Sequence, residues 1–160
     1  MFPIAPLQTR HILLADDDKD DCFLFKEALE ELALSVHLTT VHSGEKLMQL
    51  LNKDNTQLPD LFFLDLNMSG KNGFACLLEI KQSKKLQQLP IVILSTSFGK
   101  DIINLLYKNG ALHYIRKPND FSQLKNLIRW AITLAAQSGF VQPSKEKFVL
   151  SPEYYYDEHK

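Results

Sequence analysis

The sequence predicts an α/β fold, a doubly wound, five-stranded parallel sheet with five helices in three layers. Short apolar runs alternate with amphipathic stretches, and most of the runs are continuously apolar, as in strands that helices cover on both faces. Five such units in succession favour one sheet with right-handed crossovers. The predicted strands are Ile12–Ala15, Val36–Val41, Leu61–Leu64, Ile91–Leu94 and Ala111–Ile115. The predicted helices lie at about 20–33, 44–53, 72–83, 99–109 and 120–136.

Several helix ends carry recognisable signals. Asp120 with Gln123 three residues later resembles a capping box, and Gly110 is placed to end the fourth helix. Asp20 and Asp21 lie in a first helical turn, where negative charge suits the helix dipole. We therefore interpret both acids, like the neighbouring Asp18, as a solvated helix start.

Composition excludes several classes of protein. A chain of 160 residues indicates one domain, and a formal net charge of −1 predicts no general attraction to nucleic acid or to a membrane surface. No signal peptide is apparent, and no apolar run approaches the roughly 20 residues that a membrane span needs. Cys22 and Cys76 fall inside helical patterns, which predicts buried thiols in a reducing compartment and a cytoplasmic location.

Charged and polar residues follow four of the predicted strands. Asp16 and Asp17 follow the first strand, Asp65 the third, Ser95 the fourth and Lys117 the fifth. Because the carboxyl ends of parallel strands meet at one edge of a sheet, where ligands bind, we expect these side chains to lie together. Such a set suits a divalent metal and a phosphoryl group.

Four segments carry a family resemblance. ILLADDDKDD, LFFLDLNMSGKNG, PIVILSTS and YIRKP resemble, in order, the signature segments of the response-regulator receiver domain of two-component signalling. The resemblance covers about residues 10–136 and implies a flavodoxin-like fold, leaving 137–160 as a C-terminal tail with no output domain. The chain also looks like the stand-alone receivers that partner bacterial phytochrome kinases.

The resemblance implies a role for each acid. Asp65 would accept a phosphoryl group from a histidine kinase or a phosphotransfer protein, so the protein would be a regulator and not an enzyme. Mg²⁺, with Mn²⁺ as the alternative, would be held by Asp17 and Asp65 directly, by Asp16 mostly through water, and by the backbone carbonyl of Asn67. An all-oxygen ligand set of this kind suits these metals.

The resemblance also implies a switch. Lys117 would pair with a phosphoryl oxygen, aided by a cis bond to Pro118, and Ser95 would donate a hydrogen bond to another oxygen. Ser95 and the aromatic Tyr114 would then move together to transmit the signal.

Four residues depart from the family pattern. Ser95 stands where threonine is usual, Thr96 where a smaller residue is frequent, Ser69 where proline is common, and Asn119 where an aromatic residue is frequent. None of them removes a required group, so the departures put rates in doubt and not the reaction class.

Two other functions stay open at this point. A haloacid-dehalogenase-type phosphatase or mutase also uses an aspartate nucleophile after a strand, but it needs a second carboxylate two residues later, where this chain has Asn67. A pseudo-receiver scaffold would need no intact acids.

Two interaction surfaces are predicted. On the fourth helix, Ile103 and Tyr107 are expected from helical spacing to point away from the sheet and to form with Trp130 an exposed patch. The resemblance implies that this face of a receiver can dimerise, so we expect a homodimer through the patch. The residues expected to face the sheet instead are Ile102, Leu105 and Leu106. Candidates to extend the dimer surface are Phe148, Val149, Leu150 and the tyrosines of the tail. On the first helix, Phe23 and Leu24 are candidates for contact with the kinase.

Overall fold

A parallel sheet forms the centre of the computed structural model, which describes residues 10–54, 56–96 and 99–153. Within these residues the sheet has six strands. The strands are β1 (His11–Ala15), β2 (His37–Val41), β3 (Leu61–Asp65), β4 (Ile91–Ser95), β5 (His113–Arg116) and β6 (Val149–Leu150). The helices are α1 (Lys19–Glu31), α2 (Gly44–Leu51), α3 (Gly73–Gln82), α4 (Lys100–Lys108) and α5 (Phe121–Gln137). The strand order is β2-β1-β3-β4-β5-β6, and every neighbouring pair is parallel.

Helices cover both faces of the sheet. One core cluster joins α1 and α5 to the strands, and the other joins α2, α3 and α4 to the opposite face. Successive strand residues alternate between the two clusters, so Leu13 and Leu14 of β1 belong to different cores. This explains why strands of the sheet's centre are apolar without alternation, and it confirms the predicted doubly wound, three-layer fold.

The predicted elements form with small shifts at their ends. Each of the five predicted strands is present, although β5 begins at His113 and not at Ala111. Asp120 caps α5 by accepting the backbone N–H of Gln123 at 2.9 Å, and Gly110 follows α4 with a φ of +90°, which favours glycine.

The sixth strand was not predicted. Val149 and Leu150 pair with Tyr114 and Ile115 of β5, within the segment that the sequence left as a tail. A strand of two residues is too short to produce a periodic pattern, so its formation depends on tertiary contacts.

Those contacts attach residues 140–151 to the edge of the sheet. Phe148 is fully buried, and its ring packs edge to face on Tyr107 with centroids 5.1 Å apart. The Tyr107 hydroxyl donates to the carbonyl of Pro143 at 2.9 Å. The Gln142 amide donates to the carbonyls of Tyr107 and Ala111 at 2.8 and 2.7 Å. The segment therefore covers β5 and the C-terminal part of α4.

The predicted orientation of α4 is confirmed at Leu106, which is buried, but is wrong at the four other predicted positions. Ile103 and Tyr107 are partly buried against the core beside Leu106, whereas Ile102 and Leu105 are 42% and 44% exposed. The reason is the docked C-terminal segment, because Phe148 supplies the apolar partner that draws Tyr107 inward.

Three other members of the predicted dimer surface are also covered, and the tyrosines of the tail lie outside the described residues. Trp130 is partly buried against the α1–α5 core, and Phe148 and Leu150 are buried inside the fold. They are thus unavailable as an exposed extension of a dimer surface.

Both cysteines are buried free thiols, as predicted. In the described part of the chain, no helix has the length and apolar character required to cross a membrane.

Candidate functional site

Residues from four strands meet at the carboxyl edge of the sheet, as the sequence predicted. Asp16 and Asp17 follow β1, Asp65 and Ser95 end β3 and β4, and Lys117 follows β5. One carboxylate oxygen each from Asp16, Asp17 and Asp65 lies within 4.8 Å of the other two. Asp16 and Asp65 are 1% and 4% exposed, so two carboxylates are held together with little access to water.

Lys117 is the cation that balances this charge. Its Nζ lies 3.0 Å from Oδ2 of Asp16, 3.0 Å from Oδ2 of Asp21 and 3.6 Å from Oδ2 of Asp65. Burial alone lowers the pKa of Lys117, but the charges of Asp16 and Asp65 outweigh it and raise the pKa above its usual value. The amine is therefore a permanent positive charge beside the acids.

Asp65 has the environment of a reactive carboxylate. Burial raises its pKa to about 6; Lys117 opposes that rise and Asp16 adds to it. The backbone N–H of Asn67 donates to Oδ1 of Asp65 at 3.2 Å. At pH 7 the group is mostly ionised yet poorly solvated, a condition that suits a nucleophile.

Glycine is required directly behind Asp65. A Cβ at Gly73, the first residue of α3, would lie 2.3 Å from the backbone oxygen of Asp65. The start of α3 can approach the end of β3 this closely because position 73 has no side chain. This glycine was not predicted as a site residue, although it ends the segment LFFLDLNMSGKNG, which carries the family resemblance.

Ser69 holds the exposed edge of the acidic cluster. Its backbone N–H and its hydroxyl both donate to Oδ2 of Asp17, at 2.9 and 3.0 Å, and these two bonds lower the pKa of Asp17. The departure from proline thus adds two donors, because proline has neither a backbone N–H nor a hydroxyl. Serine at position 69 was noted in the sequence as a departure from the family pattern, but its contact with Asp17 was not predicted.

The prediction that Asp21 lies at a helix start is confirmed, but the prediction that its side chain is simply solvated is wrong. Its side chain forms an ion pair with Lys117, which lies 96 positions later in the chain. The neighbouring Asp18 caps α1 by accepting the backbone N–H groups of Asp20 and Asp21. Asp21 is the third residue of α1 and lies in its first turn, where it contacts Lys117 at the edge of the sheet.

The two predicted switch residues lie together. Ser95 is fully buried and accepts a hydrogen bond from the Asn67 amide at 3.4 Å. Tyr114 is also fully buried, and its hydroxyl and Ser95 share a hydrogen bond, although burial raises the pKa of the phenol. The ring of Tyr114 therefore already points inward, and the proposed movement of the pair stays a prediction.

The expected cis bond before Pro118 is wrong. No peptide bond among the described residues is cis. Lys117 reaches Asp65 from a trans bond, with its own backbone N–H donating to the carbonyl of Ser95 at 2.9 Å.

The donor set fits a hard divalent cation. The three clustered groups are all carboxylates, and the two buried ones lie beside Lys117. Oxygen-only sites suit Mg²⁺ and Mn²⁺, whereas zinc sites use histidine and cysteine. Asp16, Asp17 and Asp65 are thus the residues that would hold the metal, and Asn67 stays a predicted carbonyl ligand.

Comparison with known proteins agrees with this site. A family model described as the response regulator receiver domain matches residues 12–129. The chain belongs to the response-regulator receiver family. Response regulator Rcp1 from Synechocystis sp. is 31% identical over 122 residues, which cover 74% of this chain and 83% of Rcp1.

Two solved receiver structures are similar to this one. The Mn²⁺-bound form of Rcp1 has a TM-score of 0.73 and 28% identity, covering 81% of this chain and 96% of that one. The phosphorylated cyanobacterial phytochrome response regulator RcpA has a TM-score of 0.73 and 34% identity, covering 85% and 99%. The predicted family, its likeness to phytochrome response regulators and its part in two-component signalling are confirmed. Receivers of this kind are signalling proteins that bind a divalent metal and receive phosphoryl groups from histidine kinases or phosphotransfer proteins.

Proposed function

We propose that Asp65 is the residue of this receiver that accepts the phosphoryl group, with Mg²⁺ as the metal. The observation that carries the proposal is the cluster of three carboxylates around one lysine at the carboxyl edge of the sheet. Asp65 is the member of the cluster that ends a strand, is buried and has a raised pKa.

The residues divide the reaction between them. A carboxylate oxygen of Asp65 forms a bond to phosphorus while the bond from phosphorus to the donor's imidazole nitrogen breaks, and the imidazole leaves with a proton. Lys117 and the hydroxyl of Ser95 take two of the phosphoryl oxygens, which carry the added negative charge. The metal, when bound by Asp16, Asp17 and Asp65, offsets the repulsion between the acids and the phosphoryl group.

The surroundings of Asn67 argue against the phosphatase alternative. A dehalogenase-type enzyme needs an acid two residues after its nucleophile. In this chain the corresponding amide donates to Ser95 and carries no titratable proton. The pseudo-receiver alternative is disfavoured because Asp16, Asp17 and Lys117 are all present and in contact or close to one another.

A phosphorylation assay tests the proposal. The protein would be incubated with Mg²⁺ and labelled acetyl phosphate, beside Asp65→Asn and an exposed control, Asp54→Asn. We expect about one equivalent of label on the wild type and on Asp54→Asn, lost slowly, and none on Asp65→Asn. Label that persists in Asp65→Asn refutes the acceptor, continued release of phosphate supports a phosphatase, and absence of label on the wild type supports a scaffold.

The phosphodonor in this proposal is a phytochrome-type histidine kinase. The similarity to RcpA, a phytochrome response regulator by its description, supports that choice. Phe23 and Leu24 on α1 are 60% and 40% exposed, which makes them available for kinase contact. The two buried free thiols support a reducing, cytoplasmic location.

The homodimer stays a prediction, but the surface proposed for its interface changes. The apolar residues of α4 that remain exposed are Ile102 and Leu105, so they replace Ile103 and Tyr107 as the candidates for contact. Sedimentation of a variant with aspartate at both exposed positions measures whether a dimer depends on them.

A further inference from the structure

Lys117 forms ion pairs both with the acceptor site and with helix α1. Its Nζ is 3.0 Å from Asp21 but 3.6 Å from Asp65, so the contact with the helix is the shorter of the two. Asp16 and Asp65 belong to the acidic cluster, whereas Asp21 lies outside that cluster and in the first turn of α1. Asp21 thus attracts the amine without belonging to the predicted phosphoryl site.

The two partners differ in burial as well as in position. The Asp65 side chain is 6% exposed, whereas that of Asp21 is 41% exposed. Removing the cation from an exposed carboxylate costs little free energy, because water then solvates the carboxylate. The Asp21 contact is therefore the one that Lys117 can most readily give up.

A phosphoryl group changes the balance between these contacts. It would bring a charge of about −1.5 to −2 to Asp65, with oxygens that accept strong hydrogen bonds. The amine must then face the phosphoryl oxygen, and Asp21 competes for the same three donor hydrogens.

We propose that Asp21 is a positioning residue that shares Lys117 with the acceptor and thereby weakens the hold of the site on a phosphoryl group. This inference rests on the proposed function of Asp65 and Lys117. It gives α1 a direct electrostatic link to the acceptor, because Asp21 lies in the same helix as Phe23 and Leu24. A phosphoryl group on Asp65 would draw Lys117 away and leave Asp21 without its cation.

Beryllofluoride, a stable analogue of the phosphoryl group, provides the test. Its affinity for the Mg²⁺-loaded full chain would be measured by ¹⁹F NMR titration for the wild type, Asp21→Asn, Asp20→Asn and Asp21→Glu. Asp20→Asn is a matched control, because it removes the same charge from the same turn. Within the described residues, the ion pairs of Lys117 are with Asp16, Asp21 and Asp65, and not with Asp20. We expect Asp21→Asn to bind the analogue about three- to fivefold more tightly than the control, as expected for a half-exposed ion pair.

The direction of the change in affinity distinguishes a positioning role of Asp21 from a structural role in folding. A structural defect would weaken binding, whereas release of Lys117 strengthens it, and Asp21→Glu should return the affinity to that of the wild type. The inference is overturned if Asp21→Asn binds no more tightly than Asp20→Asn. If the wild type binds no beryllofluoride, the proposed function itself fails, so the two failures are distinguishable.

Discussion

Replacing Asp65 by asparagine should stabilise the metal-free protein at neutral pH. The carboxylate is 4% exposed, and both burial and Asp16 disfavour its ionised form. Its pKa rises from 3.8 to about 6, despite the attraction of Lys117. Each pKa unit corresponds to about 1.4 kcal/mol, so ionising Asp65 costs up to about 3 kcal/mol of stability.

The pH dependence follows from the sign of this shift. A carboxyl group whose pKa is raised by folding contributes stability while it is protonated, fully so below the unfolded value of 3.8. That contribution is lost as the pH rises through about 6. The wild type should therefore lose stability over this range relative to Asp65→Asn, whose amide does not titrate. The two proteins should have nearly equal stability near pH 4 and differ most at pH 7.5.

Urea denaturation with a chelator present, at pH 4, 5 and 7.5, measures the difference. Asp54→Asn is the control, because that residue is exposed and lies outside the acidic cluster. If Asp65→Asn is less stable than the wild type at pH 7.5, the attraction of Lys117 outweighs burial and the reasoning is refuted. A difference that is the same at every pH would also refute it, because ionisation would not be the cause.

Two further substitutions test the parts that departed from expectation. Phe148→Ala removes a fully buried ring and should lower the free energy of unfolding by about 3 kcal/mol in urea denaturation. The control Val141→Ala, at a 66% exposed position, should have little effect. Equal stabilities of the two variants would contradict the docking of the C-terminal segment. Ser69→Ala removes one of the two donors to Asp17 and should weaken Mg²⁺ or Mn²⁺ binding by about tenfold in calorimetry. Ser69→Thr keeps the hydroxyl and should keep the affinity for the metal. Unchanged affinity in the alanine variant would exclude a positioning role for Ser69.

The sequence predicted the sheet and the main acids because both depend on local patterns. Strands covered on two faces are continuously apolar, and a residue at the end of such a run must lie at the edge of the sheet. The positions of Asp16, Asp65 and Lys117 therefore followed from the strand ends alone, before any tertiary contact was known.

The orientation of α4 did not follow from its own sequence. Ile102, Ile103, Leu105 and Leu106 occupy so much of the helix circumference that more than one apolar face is possible. The choice is made by Phe148, about 40 residues later, which packs on Tyr107. The ion pair of Asp21 with Lys117 was missed for the same reason, because it joins two residues that only the complete fold brings together.

Tyr114 connects the unpredicted strand to the predicted site. Its hydroxyl shares a hydrogen bond with Ser95, while its backbone N–H donates to the carbonyl of Phe148 at 3.1 Å. Tyr114 thus links Ser95, whose hydroxyl is expected to face a phosphoryl oxygen, to the C-terminal segment that covers β5. Because that segment pairs with β5 through only two residues, it is the part of the sheet that a shift of Tyr114 would disturb first. We therefore expect phosphorylation of Asp65 to displace the docked segment before it displaces the central strands.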